Sequence, residues 1–276
     1  MAYRFRGPAV SGLLALLCAC PSVAAAPDTS LASSEAAQRC AAGSPEAGLE
    51  LLRAAGLLQP GVAATRPDYG ATIPVIADCY AAQGLTRSAV QSLQAGLRRA
   101  EGAQAPDIAA RLHEKLGRVL LQSGASLAAQ REFELALDGL PAADARRPGL
   151  LLALAASSAV TGGGEPGTTA SLYRDAISVA REQDDQPVLV DAQLGLYRAL
   201  REAQKPDTSL LASSRELLQR MPPQPAKPAL TGALGTLYAR LDEDTSASGN
   251  RATAIALLSE SAIVTIVGVR SSLGGA

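Results

Sequence analysis

Residues 116–141 read LGRVLLQSGASLAAQREFELALDGLP, and the order of small and large side chains in this stretch decides the fold. Small Gly117 lets a second helix approach, and large Leu120, three residues on, fills the gap beside it. Gly124 suits the left-handed residue that ends a helix. Ala129, Phe133 and Ala136 then recur at helical spacing on one face, and Pro141 stops the second helix. Forty residues upstream the same order returns: Ala77, Tyr80, Gly84, Ala89, Leu93 and Gly96 stand opposite Gly117, Leu120, Gly124, Ala129, Phe133 and Ala136. Each stretch predicts a hairpin of two antiparallel helices, and the constant step predicts an array of them.

Leu116, Gly117, Leu120, Gly124, Ala129, Phe133, Ala136 and Pro141 resemble the tetratricopeptide repeat (TPR) family at every position of its small-large-Gly-Ala-aromatic-Ala-Pro pattern. A weaker copy lies at Gly43, Gly48, Leu52, Ala55 and Pro60. The pairs Leu194-Gly195 and Leu234-Gly235 again stand 40 apart, the latter followed by Tyr238. Tyr173 and Ala176 keep the spacing of a second helix, although Gly162 to Gly167 lengthens the turn before them, and residues 205–221 are hard to place. Coverage runs over most of residues 30–265, as about six hairpins. The step of 40 departs from the family's usual 34 or so. It is similar to the long-period arrays of kinesin light chains and of the helical halves that precede bacterial CHAT peptidase domains. No CHAT domain follows here, so that family's catalytic cysteine and histidine find no matching positions.

The resemblance implies an all-α, right-handed α-solenoid of antiparallel hairpins whose first helices line a concave groove for a peptide or protein. Groove positions carried over from the family fall on Arg111, Glu114, Arg118, Leu121 and Gln122 in the clearest unit. Asp78, Ala81 and Ala82 correspond in the unit before it, and Thr236, Ala239 and Arg240 in the last. Arg111 and Arg118 share a helix face with Glu114 between them. That spacing fits a carboxylate clamp, and equally an ordinary solvated, salt-bridged face.

Composition agrees with helices. The 276 residues include 56 alanines, no Trp and 3% aromatics, which starves a β-sheet of the side chains it favours. Apolar content of 47% exceeds what a disordered chain carries. Twenty-five basic against 26 acidic residues leave no cationic excess for a phosphate backbone, so nucleic acid is excluded as an expected partner. With one His and few Cys there is no metal set, and no cofactor motif occurs.

The first 25 residues read as a secretory signal peptide: Arg4 and Arg6, the apolar run Ala9 to Ala19, then Pro21-Ser22-Val23-Ala24-Ala25 with small residues before cleavage. Residues 26–276 then form the helical repeat domain, with 23 basic and 26 acidic residues and a net charge of −3. An alternative reads Leu17-Cys18-Ala19-Cys20 as a lipoprotein box, with Cys20 acylated and the protein anchored to the outer membrane. Either route leads to a periplasmic, secreted or envelope location. Cys40 and Cys79 are left as a pair in an oxidising compartment, where a disulfide and two buried free thiols are both open.

Other features take plain readings. His113 fits a helix surface or interface, and the prolines between Pro222 and Pro228 fit a stiff connector between hairpins. Ile263 to Val269 is strand-like in composition; it can finish the last helix, add to a partner's sheet edge, or be the end of an array that once continued. The resulting expectation is a non-enzymatic interaction scaffold in the periplasm or outside the cell. Its alternatives are a regulatory or recruiting subunit of a separately encoded enzyme, or an enzyme built on Cys79 and His113.

Overall fold

The structure, a computed structural model, describes residues 29–58, 69–161, 166–245 and 248–273, and for residues 263–273 it describes the helical backbone. The expected signal peptide with Cys20, Pro60, and Gly162 to Glu165 of the long turn lie outside the described residues.

Twelve helices and no strand occur among the described residues. They pair in chain order as six hairpins. The first three are α1 (Thr29–Ala41) with α2 (Pro45–Ala54), α3 (Tyr69–Ala82) with α4 (Thr86–Gly102), and α5 (Pro106–Gln122) with α6 (Ser126–Asp138). The last three are α7 (Arg147–Thr161) with α8 (Pro166–Glu182), α9 (Gln186–Glu202) with α10 (Ser209–Arg220), and α11 (Lys227–Thr245) with α12 (Ser248–Leu273).

The repeated side chains do what their sizes require. Ala77, Ala89 and Leu93 are fully buried, and so are Ala129, Phe133 and Ala136 one repeat later. A Cβ on Gly117 would lie 2.6 Å from the Phe133 ring, so the glycine is what lets α5 and α6 close on each other. Gly43, Gly84 and Gly124 end the first helices of the first three hairpins with φ of +82°, +73° and +83°. Proline at the first turn starts α2, α5 and α9, where its missing N–H costs no helical bond. Four buried clusters follow one another from Ala36 in α1 to Leu257 in α12, and partly buried Leu120, Leu172, Leu210 and Leu217 pack against neighbouring clusters and link them.

First helices touch one another along the array: α1 meets α3, α3 meets α5, and so on to α9 and α11. The second helices pack on first helices and, among the described residues, make no comparable contact with each other. Closer spacing on one side curves a stack of hairpins towards that side, so the first helices form the inner face. The stretch that resisted placement becomes α10, and Pro222 to Ala226 link α10 to the last hairpin. Ile263 to Val269 belong to α12, whose helical backbone continues to Leu273.

Candidate functional site

Asp78, Arg111, Glu114, Arg118, Gln122 and Arg240 all lie on first helices, and all are exposed except the half-buried Glu114. The structure brings several of them together, in pairs the spacing left open. Arg118 donates to Glu114 at 2.9 Å, one turn back on α5. Arg111 pairs with Asp107 at 3.2 Å on the same helix and makes no shared site with Arg118. Asp78 on α3 pairs across to Lys115 on α5. The α3–α5 stretch of the inner face is therefore internally neutralised, as a solvated, salt-bridged face would be. Arg240 on α11 has no carboxylate within ion-pair distance among the described residues.

Helix α9 supplies inner-face residues that sequence reading missed. Leu189, Ala192, Leu196 and Ala199 pack back onto α7 and α8, in the way Leu112, Leu116 and Val119 pack back onto α3 and α4. Leu196 and Tyr197 thus stand where α5 has Leu116 and Gly117, two residues beyond the Leu194-Gly195 pair. Gly195 instead makes room for Tyr173 of the preceding α8, whose ring a Cβ there would strike. In this register Asp191, Arg198, Arg201 and Glu202 occupy the places of Arg111, Arg118, Leu121 and Gln122, a step of 80 that the sequence contains. The Leu-Gly signature drew the alignment into the wrong frame.

Charge on α9 is arranged differently from α5. Arg201 makes a two-pronged contact with Asp244 of α11 at 2.9 and 3.1 Å, joining neighbouring first helices. Asp191 is half-buried, and that burial pushes its carboxyl above the usual range while the Arg198 guanidinium pulls the other way. The Tyr173 hydroxyl is raised by burial in the same neighbourhood. Arg198 itself is exposed.

Cys40 of α1 and Cys79 of α3 are joined by a disulfide with Cα atoms 5.2 Å apart. A Cβ on Gly48 would strike the Cys40 sulfur, so α2 closes over the bond only because residue 48 is glycine. His113 Nδ1 lies 2.7 Å from Glu132 Oε2 and joins α5 to α6. Cys79 and His113 therefore have separate structural partners. Among the described residues no group of three or more His, Cys, Asp or Glu side chains is placed to hold a metal ion, and no helix is long and apolar enough to cross a membrane.

No protein-family model matches the sequence, and no curated protein is significantly similar to it. Solved structures are similar in fold. A putative kinesin light chain from Podosopora anserina with nearly identical TPR-like repeats matches with a TM-score of 0.56 at 18% identity, over 70% of this chain and 96% of that one. The apo form of RapI matches with a TM-score of 0.59 at 12% identity, over 89% of this chain and 84% of that one. BtubC from P. vanneervenii matches with a TM-score of 0.53 at 14% identity, over 90% and 93% of the two chains. With its repeated small-large-Gly-Ala-aromatic-Ala order and its layer of first helices, this chain has the TPR-like helical-repeat fold.

Proposed function

We propose that this protein is a non-enzymatic interaction scaffold of the periplasm or cell exterior, holding a peptide or protein partner on the inner face formed by its first helices. The observation that carries the reading is the continuous layer from α1 to α11, a surface whose exposed side chains vary from repeat to repeat on a constant frame. Asp78, Arg111, Glu114, Arg118, Gln122 and Arg240 contribute to it, joined by Asp191, Arg198 and Glu202 of α9. Where a partner approaches the α3–α5 stretch it exchanges internal ion pairs for new ones, while Arg240 is available from the outset.

The envelope location rests on the N-terminal sequence and draws support from the Cys40–Cys79 pairing, which suits an oxidising compartment. Intact-mass analysis of protein recovered from the envelope tests it: a chain beginning at Ala26 and short of two hydrogens is expected. A lipid-bearing Cys20 would make the protein an outer-membrane adaptor instead.

Groove binding is tested by placing a photo-crosslinking residue at position 118 on the inner face, or at position 131 on the exposed side of α6, in the protein's own cell envelope. A discrete adduct from position 118 alone is expected. Adducts from 131 but not 118 would move the binding surface elsewhere. Reconstitution of the captured partner then separates a plain scaffold from a regulatory subunit, because only the latter changes the partner's activity.

A further inference from the structure

The seam between α7 and α9 is built differently from the seam between α3 and α5. Pro148, Leu150, Leu154, Ala155 and Ser157 are buried along α7 at the spacing of Ala110, Leu112, Leu116, Gly117 and Val119 along α5. That frame puts Gly149, Leu152 and Ala156 at the places of Arg111, Glu114 and Arg118. The α7 part of the inner face is therefore apolar, and no charged residue occurs from Pro148 to Thr161. Between α3 and α5 the ion pair of Asp78 with Lys115 bridges the helices. Ala156 and Gly195 take the corresponding places on α7 and α9, and no ion pair joins these two helices among the described residues.

Tyr173 of α8 comes up against this seam. It is 6% exposed, and a Cβ on Gly195 would strike its Cε1 and Cζ, the carbon that bears the hydroxyl. The phenol oxygen therefore lies along α9 between Asp191, one turn before Gly195, and Arg198, one turn after it. It feels both of them, and Glu202 as well. Neither the phenol nor the Asp191 carboxylate makes a hydrogen bond or ion pair among the described residues. Asp191 is half-buried, so its carboxylate has lost water without gaining a partner. Arg198 and Glu202 are exposed, one turn apart and opposite in charge, and offset each other.

We propose that the α7–α9 seam seats one basic side chain, a lysine or arginine of the bound partner, whose N–H groups donate to the Asp191 carboxylate and the Tyr173 hydroxyl. The inference rests on partner binding at the inner face, as proposed above, and names the chemistry of one contact there. A cation with several N–H donors supplies both unused groups at once, the carboxylate with its ion pair and the phenol oxygen with its hydrogen bond. An anion at the same place would face Asp191 and strip it of its remaining water. The aliphatic stem of either basic side chain suits the apolar wall that Leu152 and Ala156 provide.

The test labels the full chain, matured in its own host, with tyrosine carrying carbon-13 at Cζ and follows the Tyr173 resonance, identified by its loss in Tyr173→Phe. N-acetyl-arginine methylamide and N-acetyl-lysine methylamide are each added at constant ionic strength up to about 50 mM, well beyond a millimolar Kd. A saturable shift is expected with at least one of them, and Asp191→Asn is expected to weaken that binding about tenfold or more. Asp191→Asn is also expected to melt no lower than wild type, since it removes a charge that no group of the fold pairs. No saturable shift overturns the inference, and so does a shift that Asp191→Asn leaves unchanged or a lowered melting temperature in that variant. A response to N-acetyl-glutamate methylamide in their place overturns it too, making Arg198 the anchor. Each of these failures leaves inner-face binding standing wherever position 118 still gives its adduct, because that readout does not pass through this seam.

Discussion

A methyl group on Gly117 would sit 2.6 Å from the Phe133 ring, inside any tolerable carbon–carbon contact, so one hydrogen atom sets the closest approach of α5 and α6. Gly117→Ala is expected to cost about 1–3 kcal/mol in urea unfolding, the range of an overpacked core. Phe133→Leu in the same chain should restore part of it, since the smaller side chain frees the space. Gln204 ends α9 with φ +56°, a left-handed conformation that non-glycine residues adopt at a cost. It stands two steps of 40 beyond Gly124, which serves the same turn. Gln204→Gly is therefore expected to stabilise by roughly 0.5–1 kcal/mol, the gain in turn geometry exceeding the added freedom of the unfolded chain. A lower denaturation midpoint would contradict this.

At the scale of elements, α1 is held differently from the other first helices. Among its described side chains it buries only Ser33, Ala36 and Cys40, so little apolar area binds it to α3. Ser33 and Thr72 add a hydroxyl contact at 3.3 Å, and the disulfide supplies the rest. The bond closes a loop with a sequence separation of 39. Under the chain-entropy argument that is worth about 3–4 kcal/mol. Cys40→Ser is expected to lower stability by about that amount, with amide exchange rising in α1 and staying slow in α5. Equal protection of α1 with and without the bond would show that packing alone suffices. The frame of α9 belongs to this scale too. A Leu-Gly pair is a strong local signal, yet the face a helix turns to its neighbours is set by all its large side chains together. Leu189, Leu196 and Tyr197 outweigh one glycine.

Across the whole molecule, one arginine joins elements far apart in the chain. Arg146 holds both oxygens of Asp144 at 2.9 Å and reaches Asp107 at the start of α5 at 2.5 Å. Gln183 at the end of α8 donates to the Asp144 carbonyl at 3.2 Å. The Arg146 guanidinium, with its own backbone N–H, lowers the Asp144 carboxyl to about 2. A carboxyl depressed on folding contributes stability above its unfolded value and loses it as pH falls through the folded one. Wild-type melting temperature is thus expected to drop between about pH 4 and pH 2. Arg146→Ala should melt lower at neutral pH and fall less steeply over that window, and parallel curves for the two proteins would refute the assignment.

The helical array was legible in the sequence because its cause is local. Small residues at contact points, glycine at left-handed turns and proline at helix starts act within one hairpin, and a step of 40 multiplies them. Legibility failed where local signals were weak or misleading: α10 lacks the signature, and Gly195 carries it in the wrong frame. The ion pairs of the inner face were beyond sequence for another reason. Arg111 had Asp107 and Glu114 within reach, and only the packing of α3 against α5 and the course of the α6–α7 connection decide which carboxylates remain for which cation. Sequence determined the kind of fold, since side-chain size and backbone freedom are properties of single residues. Tertiary structure decided the binding surface, because a charge becomes available to a partner only after its neighbours in space have made their own claims.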